Sequence, residues 1–101
     1  MYKVVITPSA HSDEENAYIW YEGKLKGLGD EFLTALEKAY IKISDNPTYF
    51  SFIDSKKEIR DYLLPRFPFL IIYRIKNDSI QIIAVHHAKK HPSKRYGSLS
   101  T

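Results

Sequence analysis

Apolar positions change their spacing several times along this chain, and each change predicts a change of element. Tyr2, Val4 and Ile6 alternate with Lys3 and Val5, the period of two expected of a short strand with one buried face. Thr7-Pro8 ends it: threonine caps a helix, and proline takes the first helical position, where its missing N–H costs nothing. A helix is predicted from there to about Lys26, with Ala10, Ala17, Tyr18, Trp20, Tyr21 and Leu25 as its apolar positions. Asp13, Glu14 and Glu15 lie near its N-terminal end, where the helix dipole favours negative charge. Gly27-Leu28-Gly29 interrupts the pattern with two residues that tolerate positive φ. The clearest amphipathic stripe follows, Leu28, Phe32, Leu33, Leu36, Ala39, Tyr40 and Ile43, until Asp45-Asn46-Pro47 stops it. The two helices should form a hairpin.

Residues 46–57 read as a loop, and three β-like segments follow at Ile59 to Leu64, Phe67 to Lys76 and Ser79 to His87. In the middle segment Phe69, Ile71, Tyr73 and Ile75 share one face, and Leu70, Ile72, Arg74 and Lys76 the other; Asn77-Asp78 supplies the turn. In the last, Ile80, Ile82, Ala84 and His86 alternate with Gln81, Ile83, Val85 and His87. The expected architecture is α+β: an N-terminal strand, a two-helix hairpin, then an antiparallel sheet of three to four strands packed on the helices, joined by the first strand. Two helices cover one sheet face and leave the other, or its rim, for binding.

Composition narrows the class. At 101 residues with 44% hydrophobic content, 8 Tyr and 5 Phe, the chain suits one globular domain and does not suit a disordered regulator. The longest apolar stretch is broken by Pro68 and Arg74, too short to cross a bilayer. The N-terminus lacks the long apolar region of a signal peptide, and there is no cysteine, so the cytoplasm is the expected compartment. Charge is unevenly distributed. Residues 1–54 carry five Lys against nine acids, net −4; residues 55–101 carry ten Lys or Arg against three acids, net +7. The second part is therefore expected to face a polyanion or an acidic protein.

Candidate chemistry concentrates after the last strand, in His86-His87-Ala88-Lys89-Lys90-His91-Pro92-Ser93-Lys94-Arg95, with four fixed cations, three histidines and no acid. Lysine and arginine held at a strand end suit phosphate or carboxylate contacts. A metal site is not expected, since consecutive histidines on a strand point to opposite faces and the neighbouring cations oppose another positive ion. Histidine as a proton carrier fits better. Arg60, Arg66 and Arg74 are further candidates for anion contacts, although Arg60, on the face of Tyr62 and Leu64, equally suits a half-buried arginine paired with a helix acid. Tyr73 reads as core, its hydroxyl bonded at the sheet edge. No Gly-rich phosphate loop, paired-cysteine motif or Gly-x-Ser-x-Gly elbow occurs, and no cofactor is expected.

The element order, the segment Phe67-Pro68-Phe69-Leu70-Ile71-Ile72-Tyr73-Arg74 after Arg60, and the ending Ile83-Ala84-Val85-His86-His87-Ala88-Lys89-Lys90-His91-Pro92 together resemble the RelE/ParE superfamily of type II toxin–antitoxin toxins. The likeness is greatest to the ParE, or plasmid-stabilisation, branch. It covers nearly the whole chain, with residues 1–96 as the toxin domain and 97–101 as a short tail. It implies a toxin neutralised by a cognate antitoxin in a hetero-oligomer, and two incompatible activities: RelE-like members cut messenger RNA on the ribosome, whereas ParE-like members inhibit DNA gyrase without cleaving RNA.

RelE-like nucleases carry an arginine where this chain has Leu70, and lysines on the preceding strand where it has Asp61 and Leu63; Lys90 can fill the basic position after the last strand. These departures favour the noncatalytic reading. A nuclease using arginine, histidine and tyrosine would draw on Arg60 or Arg66, His86 or His87, and Tyr96. For the gyrase reading, Lys89, Lys90, His91, Lys94 and Arg95 are the expected target contacts, and Tyr18, Trp20 and Tyr21 the expected antitoxin anchors. An inactive, antitoxin-binding module is the third reading.

Overall fold

The computed structural model describes residues 2–89. In chain order the elements are β1 (Lys3–Ile6), α1 (Pro8–Lys24), α2 (Leu28–Asp45), β2 (Phe52–Asp54), β3 (Ile59–Leu63), β4 (Phe69–Lys76) and β5 (Ser79–His87). They form one sheet in the order β1-β5-β4-β3-β2. β1 runs parallel to β5 and every other pair is antiparallel. This is the α+β arrangement that the periodicity predicts.

Thr7 joins the first strand, the first helix and the last strand. Its hydroxyl oxygen accepts the Ala10 N–H at 3.2 Å, capping α1, and the same hydroxyl donates to the Ile82 carbonyl at 2.8 Å. The helix start is thereby fixed to β5. At the hairpin, Gly27 adopts a left-handed φ of 91°. The Glu22 carboxylate accepts the N–H groups of Gly27 and Gly29, each at about 3.0 Å, which satisfies donors that the start of α2 leaves without helical partners.

Both helices pack on one face of the sheet. The core there combines Ala10, Ala17, Phe32, Leu36, Ala39 and Ile43 from the helices with Phe69, Ile71, Tyr73, Ile80, Ile82 and Val85 from β4 and β5. The expected division of β4 holds: Phe69, Ile71 and Tyr73 face the helices, while Leu70 and Ile72 belong to a smaller cluster with Ile59 and Ala84. Tyr73 is fully buried, and its hydroxyl donates to the Pro47 carbonyl at 2.7 Å, so the polar end of the ring is satisfied where the core meets the loop.

Two expectations need correction. First, the stretch read as loop contains β2, whose three residues pair with β3 through an irregular register; a strand this short carries no readable period. Second, β5 does not alternate evenly. Ile72 pairs with Ala84 but Tyr73 pairs with Ile82, so Ile83 is an extra residue. This bulge moves Val85 to the helix side with Ile80 and Ile82, and leaves Ala84 on the opposite face.

Candidate functional site at the end of the last strand

β1 pairs with β5 only as far as Ile82. Beyond it the C-terminal part of β5 is a sheet edge, and α1 crosses it. Asp13, in the second turn of α1, accepts the Val85 N–H at 3.0 Å through Oδ2, and the same oxygen lies 3.3 Å from His86 Nε2. A helix carboxylate thus takes the place of a neighbouring strand for this residue, which answers the problem of an open edge. His87 places its ring edge-on to Phe69 at 5.2 Å between centroids, and its Nδ1 accepts the Lys89 N–H at 3.2 Å. An accepting Nδ1 leaves Nε2 to carry the proton of the neutral ring.

Between α1 and this edge runs an open groove of about 490 Å³, lined by Asp13, Asn16, Trp20, Phe69, His86 and His87 among others. Trp20 is 59% exposed, and Lys24 Nζ lies 4.2 Å from its ring centroid. An exposed tryptophan, two imidazoles and an amide beside a strand end can stack on and hydrogen-bond a planar or peptide-like partner.

The sequence candidates among the described residues disperse. Arg60 stands opposite Tyr73 on the helix side of the sheet. Its Nη1 donates to the Thr48 carbonyl at 3.2 Å and to the Phe50 carbonyl, and the guanidinium lies 3.8 Å from the Phe52 centroid. The expected pairing with a helix acid is therefore replaced by two loop carbonyls and an aromatic face. Arg66, in the β3–β4 loop, forms the ion pair with a helix acid, Glu31 of α2, at 2.8 Å. Arg74 donates to Gln81. Lys89 is exposed just past β5; Lys90, His91, Lys94, Arg95 and Tyr96 lie outside the described residues.

Tyr18, Trp20 and Tyr21 enter three environments. Tyr18 packs beside Gly29 of α2, Trp20 lines the groove, and Tyr21 joins an aromatic cluster with Phe32, Phe67 and Phe69 at centroid distances of 4.9 to 6.0 Å. The helical advance of about 100° per residue separates neighbours in this way.

On the sheet face away from the helices the cation among the β3–β4 pairs is Arg74, opposite Ile59 and hydrogen-bonded to Gln81. Asp61 stands opposite Ile72, and Leu63 opposite Leu70. Burial raises the Asp61 carboxyl above its ordinary range, with its own backbone hydrogen bond opposing the shift. Among the described residues no group of three or more His, Cys, Asp or Glu side chains could hold a metal ion, and no helix is long and apolar enough to cross a membrane.

No protein-family model matches the chain, and a search of curated proteins finds no match. Among solved structures it is similar to a chain of the structure described as "Chromosomal ParDE TA system from P. aeruginosa". That similarity has a TM-score of 0.64 and 20% sequence identity, and covers 86% of this chain and 96% of the other. The chain therefore has the fold of a ParDE toxin–antitoxin component, the fold that its resemblance to the RelE/ParE superfamily implies.

Proposed function

We propose that this protein is the toxin of a type II toxin–antitoxin module of the ParE kind, acting in the cytoplasm as a noncatalytic inhibitor of DNA gyrase and neutralised by a cognate antitoxin. The likeness to a ParDE chain supports the fold and the class of module. One observation supports the choice of mechanism: among the described residues, the groups that phosphodiester cleavage would draw on do not converge. Arg60 is engaged by loop carbonyls on the helix side of the sheet, Arg66 pairs with Glu31, and His86 stands opposite Leu70 beside Asp13. Cutting RNA through its 2′-hydroxyl needs a proton carrier and cations around one phosphate. On the sheet face away from the helices Asp61 adds a carboxylate, which repels phosphate.

In this reading the cations from Lys89 onward contact the target. Expression of the chain should arrest growth, and a Lys89→Glu, Lys90→Glu double variant at equal protein level should relieve the arrest with the fold intact. The purified protein should inhibit supercoiling by gyrase and leave transcripts whole. Transcripts cut at ribosomal A sites in a purified translation system would overturn the mechanism in favour of a ribosome-dependent nuclease. Binding of an antitoxin without either effect would make the chain an inactive module.

A further inference from the structure

The geometry points to the outer groove between α1 and α2 as a docking surface for a cationic amphipathic helix of a partner protein. This groove lies apart from the one beside Trp20, and the inference stands whether or not the chain is a toxin. It is a cleft of about 530 Å³ with an apolar strip formed by Ile19, Leu33 and the Tyr18 ring. Ile19 is 66% exposed, a large aliphatic side chain on the helix surface turned from the sheet.

Acids border that strip on both helices. Glu15 precedes Ile19 by one turn on α1, and Asp30 precedes Leu33 by one turn on α2, so each carboxylate stands beside the apolar residue of its own helix. Below them Glu14 accepts the Tyr40 hydroxyl. Of the groove's lining residues only His11 can become positive, and its Nδ1 already lies 3.7 Å from Glu14. The field is felt at Tyr18: its phenol is raised above its ordinary value first by Asp30 and then by Glu22, with burial the smallest cause.

An apolar strip between two carboxylate rims is the complement of a helix with apolar side chains at i, i+3 or i+4, and i+7, flanked by lysine or arginine. Charge of this arrangement steers the encounter and sets the sign of the partner. Nucleic acid, an anionic lipid surface and an acidic peptide are all repelled by it.

The test uses the full chain and two amidated peptides about 18 residues long, roughly five helical turns. One is built of Leu, Ala and Lys with leucine along a single stripe; the other has Glu for each Lys. In 15N-labelled protein the cationic peptide shifts amides of residues 15–19 and 30–33. The anionic one binds at least roughly tenfold more weakly, and salt at about 0.5 M weakens the cationic complex. A Glu15→Lys, Asp30→Lys variant inverts the preference, and Ile19→Asn weakens both peptides. Failure of the cationic peptide to bind, equal binding of the two, or shifts confined to the Trp20 groove would overturn the inference. So would sedimentation of the free chain as a dimer that Ile19→Asn dissociates, which would make the groove a contact between copies.

Discussion

The Asp13 carboxylate and the Val85 backbone N–H, 72 positions apart in sequence, meet at 3.0 Å. This bond closes the part of β5 that β1 does not reach. A charged acceptor removed from a half-buried amide leaves that amide without its partner, at a cost of roughly 1–3 kcal/mol. Asp13→Ala is therefore expected to lower stability to urea by that amount. Asp13→Asn, which keeps a neutral acceptor, should lose less. Amide exchange at Val85 provides the local readout: it speeds up in Asp13→Ala beyond what the global loss accounts for. Unchanged exchange would mean that the edge is protected by something else.

Gly29 opens a prediction at the other end of the hairpin. A Cβ built there would lie 2.7 Å from the Tyr18 ring and 2.9 Å from the Tyr18 carbonyl oxygen. The ring can swing away; the carbonyl belongs to α1 and cannot. Gly29→Ala should destabilise by roughly 1–3 kcal/mol through overpacking. In the double variant with Tyr18→Ala only part of that is recovered, because the backbone clash remains. Full recovery would show that the ring alone set the spacing of α1 and α2.

Periodicity made most of this fold legible. The α2 stripe ends where Asn46-Pro47 stops it, and the division of β4 between two faces follows from strict alternation. Features that depend on partners distant in sequence were not legible. β2 owes its existence to β3. The extra residue at Ile83 is a matter of register with β4, and a single sequence records register only through a regular pattern. The site was legible in the same measure. Its strand-end histidines stood out by composition. Asp13 read as an acid favoured at a helix N-terminus, and no local signal marked it as the partner of β5. Tyr18, Trp20 and Tyr21, expected as antitoxin anchors, are close in sequence, and a helix sends them to three surroundings.

Asp61 sets an expectation at acid and neutral pH. Burial raises its carboxyl above the ordinary value of 3.8, so its ionisation is harder in the folded than in the unfolded chain. A raised folded value gives full stability below the unfolded value and a loss as pH climbs through the folded one. At neutral pH the charged Asp61 thus costs stability, and Asp61→Asn should raise the urea midpoint. The advantage should shrink as pH falls and vanish below about 3.8, where the unfolded carboxyl is also protonated. An Asn variant no more stable than the parent at pH 7 would place a compensating cation beside Asp61.

At the alkaline end Tyr73 governs the response. Its phenol is pushed up from 10.0 to about 12, chiefly by burial, with Arg60 pulling it down and Asp61 pushing it further. The folded chain resists its ionisation more than the unfolded chain does, so the stability it supplies is complete below pH 10 and drains away toward 12. Tyr40 adds to the same loss, its phenol raised by burial and by the bond to Glu14. Tyr73→Phe gives up the bond to the Pro47 carbonyl, worth about 1 kcal/mol at neutral pH, but has no phenol to ionise in the core. The two stability curves should therefore lie apart at pH 7 and converge between pH 10 and 12, as followed by urea unfolding with tyrosine absorbance near 295 nm marking ionisation. Parallel curves across that range would mean that the Tyr73 hydroxyl ionises without unfolding the core, and that the Pro47 contact does not hold it.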